Sequence, residues 1–144
     1  MPFHIRPFLT QPLAFWFLIT LLMLSSGPAY AEWVEVADSN QEGMTTYVDL
    51  DSIRRKGDLA KMWQLFDFKK VQISKMGRSF LSMTAQIEYD CLEEQSRSLA
   101  LTVFTGNMGK GGEVPSTRIK ESEWEPVAPA SMAQRLWKVA CGKQ

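Results

Sequence analysis

Imidazole is almost absent from this sequence. The single histidine, His4, stands ahead of an apolar run that reads as a leader. Beyond it nothing remains to build Ser-His-Asp or Cys-His catalysis, and the commonest transition-metal ligand is missing. Net charge is absent too: 16 basic residues balance 16 acidic ones. That excludes the strongly basic balance of a nucleic-acid binder. Long hydrophobic runs are also lacking. The apolar stretch LAFWFLITLLML, Leu13 to Leu24, falls well short of the roughly 20 residues that span a bilayer as a helix.

What is there at the N-terminus is a secretory pattern. His4 and Arg6 form a short basic region, the apolar stretch follows, and SSGPAYA closes it with Ala29-Tyr30-Ala31 as the small-residue cleavage signal. Residues 1–31 are therefore expected to be a cleaved signal peptide, and residues 32–144 a single domain. No cysteine follows the run to carry a lipid, so the expected product is a soluble periplasmic or secreted protein without a transmembrane segment. With 45% hydrophobic residues the composition is globular rather than disordered.

The two cysteines, Cys91 and Cys141, show no Cys-x-x-Cys spacing. In an exported domain an even pair of this kind reads as a disulfide, with a redox-active pair as the alternative. Such a link would stabilise the fold by about 4 kcal/mol in the chain-entropy model.

The body of the chain reads as strands. EWVEVAD and MTTYVDLDSI are rich in β-branched and aromatic residues, with a turn near Gly43 between them. In LAKMWQLFDFKKV, Met62, Gln64, Phe66 and Phe68 alternate with Trp63, Leu65 and Asp67, the period of a strand with large apolar residues on both sides. SFLSMTAQIEYDC alternates again and places Cys91 on the apolar side. SLALTVFTGN returns as a fifth strand, and TRIKESEWEPV is a charge-rich candidate for a sixth at an edge. Near the C-terminus the period changes. Ser131 and Gln134 match a capping box, Met132, Leu136, Val139 and Ala140 form one helical stripe, and Gly142 supplies the stop. The fold class is α+β: a five- or six-stranded antiparallel meander with one C-terminal helix.

Few constellations carry chemistry. Asp49 and Asp51 in VDLDS lack the further oxygens that a calcium loop needs, and read as a local turn. GNMGKGG, Gly106 to Gly112, fails the phosphate-loop pattern because Phe104 stands where the first glycine belongs and Gly111 follows Lys110. It reads as a flexible hairpin loop, suited at its tip to contact a partner. Arg54-Arg55-Lys56 and Lys69-Lys70 read as solvated turns or strand ends. Of the tryptophans, Trp33, Trp63 and Trp137 are assigned to the core and Trp124 to an exposed contact. The partner-contact candidates are Lys110, Arg118, Lys120 and Trp124. No cofactor or metal site is expected. A hydrolase working with carboxylates alone, drawn from Asp49, Asp51, Asp67, Glu88 and Asp90, is the enzymatic alternative, and a structural or stress-linked periplasmic protein is another.

One set of features resembles a known family. Trp33, YVDLDSI, Trp63 within MWQLFDF, EYDC with Arg97 soon after, Phe104 leading to GNMG, EWEPVAPAS and the closing Cys141-Gly142 occur in an order and spacing similar to the surface-adhesin protein E family of bacterial envelope proteins. The resemblance covers Trp33 to Gly142. It implies an antiparallel sheet bent like a half barrel, with the helix fastened to it by Cys91 and Cys141. It further implies an exported, non-enzymatic binding module that can form a homodimer and takes protein partners, host extracellular-matrix and serum proteins such as laminin and vitronectin among them.

Overall fold

The alternating segments form the strands that their period predicts. In the computed structural model, which describes residues 31–36, 43–115 and 122–144, the chain runs through β1 (Trp33–Glu35), β2 (Met44–Lys56), β3 (Leu59–Ile73), β4 (Ser79–Asp90), β5 (Gln95–Phe104), β6 (Glu113–Val114) and β7 (Glu125–Pro126) before α1 (Met132–Cys141). Every pairing is antiparallel; consecutive strands pair in the order β1-β2-β3-β4-β5-β6, and β7 bonds back to β5. The sheet is open, since β1 and β6 stay at opposite edges. Register shifts interrupt β2 after Asp49, β3 after Asp67 and β4 after Gln86, and irregularities of this kind bend and twist a strand pair.

The strand count exceeds the expected five or six because β6 and β7 are short bridges of two residues each. Of the proposed sixth strand TRIKESEWEPV, Glu125–Pro126 pairs with Gln95 and Ser96, while residues 117–121 lie outside the described residues. Proline is tolerated there because β7 sits on an edge.

Residues paired across the strands share a face. One face carries Val48 of β2, Ala60 and Met62 of β3 and Ile87 and Tyr89 of β4, and α1 packs on it through Leu136, Trp137 and Ala140. Val36 and Val127 close the sides of this core. The helix begins as its sequence predicts: the Gln134 amide donates to Ser131 Oγ (3.1 Å). The reciprocal bond is displaced by one residue, because Gln134 Oε1 accepts from the Ala130 amide (3.0 Å) rather than from Ser131. At the other end Gly142 takes the left-handed conformation, φ 66°, that terminates a helix without a side-chain penalty.

Two fastenings hold that C-terminal end. A disulfide joins Cys91 to Cys141, with a Cα separation of 5.6 Å. Arg55 reaches from β2 to donate from Nε to the Ala140 carbonyl (2.7 Å), satisfying an acceptor that helix geometry leaves open. The Arg54-Arg55-Lys56 cluster was expected to be merely solvated; its middle member caps the helix instead. Trp137 adds a third link by donating Nε1–H to the Asp90 carbonyl (2.8 Å). All these elements, their core and the disulfide fall within one compact unit, Ala31–Gln144.

Candidate functional site

Among the described residues no helix packs on the sheet's second face. Its register rows place Trp33, Asp49, Trp63 and Gln86 side by side across β1 to β4, and next to them Lys61, Glu88 and Arg97 across β3 to β5. Trp33 and Trp63 are both only half-buried. With Ala31, Asp49 and Thr84 they line a shallow groove of about 280 Å³. Their assignment to the core is therefore corrected. Alternation puts them on one side of the sheet, but nothing local specifies that the helix covers the other.

The charged row is tightly built. Glu88 is buried, and its Oε2 accepts from Arg97 Nε (2.7 Å) and meets Arg97 Nη2 at 2.5 Å, while Lys61 Nζ stands 3.7 Å from Oε1. The Arg97 guanidinium in turn lies 4.5 Å from the centre of the Trp124 ring, a cation–π distance. Trp124 is thus half-buried beneath an arginine that Glu88 holds in place, rather than loose among its charged neighbours.

Farther along the same face lies the glycine loop. The Asp67 carboxylate accepts from Asn107 Nδ2 (3.1 Å) and from the Met108 amide (2.7 Å). Ser82 Oγ donates to the Gly106 carbonyl (2.5 Å) and accepts from the Gly109 amide (2.9 Å). Gly109 has φ 68°, and a Cβ there would stand 3.4 Å from Leu65 Cδ1. Glycine suits both the backbone and the close approach. The loop is therefore pinned onto β3 and β4, correcting the expectation of a flexible hairpin loop. It buries Leu65 completely. Beside it the Tyr47 phenol is held above its usual pKa, chiefly by partial burial and then by the negative charges of Glu35 and Asp67.

Of the partner-contact candidates, Lys110 sits exposed on the pinned loop and Trp124 in the Glu88–Arg97 row. The structure therefore puts them on one face but in separate regions of it. Arg118 and Lys120 lie outside the described residues. Four of the five carboxylates of the enzymatic alternative serve the fold locally, and Asp51 takes part through its backbone. Asp49 Oδ1 accepts from the Asp51 amide, Asp90 Oδ1 accepts from the Leu92 and Glu93 amides, Asp67 holds the loop and Glu88 holds Arg97. Among the described residues no group of three or more His, Cys, Asp or Glu side chains is placed to hold a metal ion, and no helix is long and apolar enough to cross a membrane. Sequence reasoning missed that Trp33 and Trp63 flank Asp49 in one row and line a common groove. The signal available was parity, since both belong to the alternation opposite Met62 and Val48.

An open antiparallel sheet, covered on one face by a helix tied down through a disulfide and left partly bare on the other, defines a small stapled α+β domain of the kind exported proteins favour. The surface-adhesin protein E family model matches residues 33–142, and the chain belongs to that family. Membership makes it an exported, surface-adhesin-like protein. Solved structures of Haemophilus influenzae protein E share the fold. One is 11% identical with a TM-score of 0.61, covering 78% of this chain and 86% of that one. Another, from a non-typeable strain, is 12% identical with a TM-score of 0.55 at the same coverage. No curated protein matches the sequence.

Proposed function

We propose that the chain, cleaved before Glu32, is a non-enzymatic envelope protein that binds protein partners through the face turned away from α1. One observation carries this reading: Trp33, Trp63 and Trp124 stand partly exposed on that face, with the Trp124 ring stacked on Arg97. Tryptophan and arginine are the side chains most enriched among residues that dominate binding energy. Here Trp33, Trp63 and Arg97 are held on strands and Trp124 is stacked on Arg97 just ahead of β7, so little ordering entropy opposes their use. Lys110 extends the same surface at the pinned loop. The leader pattern at residues 1–31 supports release into the periplasm or beyond it.

Host extracellular-matrix proteins and envelope proteins are the partners to test. Surface-plasmon measurements should compare the chain from Glu32 with Trp33→Ala, Trp63→Ala and Trp124→Ala. Loss of tenfold or more in affinity, with melting nearly unchanged, is the expected result. Undiminished binding by the triple variant, or no binding to either partner class, would overturn the reading. Mass measurement of the exported protein checks the cleavage site.

A further inference from the structure

The β3–β4 hairpin outruns the rest of the sheet. Strand β2 pairs with β3 only as far as Phe68, and β5 pairs with β4 only from Ser82. Residues 70–81 therefore project as a two-stranded ribbon, joined by the pairs Gln72–Phe80 and Ile73–Ser79. Such a ribbon is marginal alone. Its base is braced by Phe68 and Phe80, whose rings meet edge to face at 5.7 Å. Its tip is closed by Ser74, whose amide donates to the Arg78 carbonyl and whose carbonyl accepts from the Gly77 amide.

The ribbon's surface has a distinctive composition. Val71, Ile73 and Met76 are 57%, 65% and 59% exposed, so half of the large exposed apolar side chains among the described residues cluster on this one protrusion. Around them stand Lys69, Lys70, Lys75 and Arg78, and the sequence holds no acidic residue between Asp67 and Glu88. Among the described residues no carboxylate lies within ion-pair distance of these four cations. A solvated hairpin has no need of the apolar residues, and a buried one could not carry the unpaired charges.

We infer that this tip docks on an anionic phospholipid surface, with Val71, Ile73 and Met76 entering the headgroup boundary while the lysines and Arg78 meet the phosphates. Apolar side chains ringed by cations are the pattern of interfacial binding. Each cation near an anionic surface strengthens association roughly fivefold. An acidic protein patch would satisfy the charges but leave the apolar tip in water. The inference is independent of the tryptophan face.

Vesicles decide it. The chain from Glu32, which contains every strand and the helix, is cosedimented with phosphatidylglycerol–phosphatidylcholine vesicles and with phosphatidylcholine alone. Binding to the first and not to the second is expected. Lys70→Glu with Lys75→Glu should lower the partition at least twentyfold with unchanged melting, since two cations are lost at roughly fivefold each. Ile73→Trp should add emission that shifts to the blue on the anionic vesicles, and Trp33→Ala with Trp63→Ala should bind them as the parent does. Absence of binding, equal binding by the charge-reversed variant, no blue shift, or dependence on Trp33 and Trp63 would each overturn the inference.

Discussion

Trp137 and Trp63 lie on opposite sides of the same sheet. The first is 4% exposed, seals the core beneath α1 and spends its indole N–H on the Asp90 carbonyl. The second is half-buried and lines a groove open to solvent. The covered face gains stability from apolar area removed from water, and polar groups such as the Trp137 indole N–H are fitted around that packing. The bare face is held by directed bonds instead: Asp67 and Ser82 to the glycine loop, and Glu88 to Arg97. One side of the sheet is thus committed to the core beneath α1, and the other, apart from Leu65 under the glycine loop, keeps large side chains available.

Substitutions on the two faces should therefore separate. Trp137→Ala is expected to have the largest effect, a loss of up to about 5 kcal/mol in denaturant unfolding, because a large buried ring is deleted and a carbonyl loses its donor. Cys91→Ser, or reduction, should cost about 4 kcal/mol for the 50-residue separation it releases, read as a drop in melting temperature and a free thiol at Cys141. Thiol labelling of native, unreduced protein at both positions would refute the staple.

Glu88→Gln tests the bare face at its most ordered point. It removes a charge partner from Arg97, which is itself a quarter exposed, so a loss of about 2 kcal/mol is expected. A loss as large as that for Trp137→Ala would break the contrast between the faces.

A further effect is confined to alkaline pH. Burial raises the Tyr89 pKa well above its ordinary value of 10.0, opposed in part by its hydrogen bond with Gln64. The unfolded chain then loses the phenolic proton before the folded one does. The stability from keeping Tyr89 neutral is complete below pH 10 and falls as pH rises above it. Tyr89→Phe should flatten that decline in melts recorded across the alkaline range. The smallest change is expected for Trp33→Ala, about 1 kcal/mol or less, since its ring leaves a groove rather than a core.

Period and cap signals made β2 to β5 and the helix legible, and cysteine arithmetic made the disulfide so. These depend on neighbours close in sequence or on a compartment. What escaped depends on partners far away. Arg55 was read as a solvated turn because the carbonyl it caps comes 85 residues later. The glycine loop was read as loose because its anchor, Asp67, precedes Asn107 by 40 residues. Trp33 and Trp63 were misplaced for a related reason: alternation divides residues into two faces but does not say which face the helix will choose. At the tip of the β3–β4 ribbon the run without acids was readable, whereas its protrusion depended on where β2 and β5 stop.

The Cys91–Cys141 bond also decides how the domain carries load. If the chain is pulled from its two ends, tension entering through β1 to β4 reaches Cys91 and crosses the covalent bridge directly to Cys141. Everything from Leu92 to Ala140, including β5, the glycine loop and most of α1, hangs outside that line of force. Fully stretched oxidised protein should therefore be shorter than reduced protein by about 170 Å, at roughly 3.4 Å per residue over the bypassed 50-residue separation.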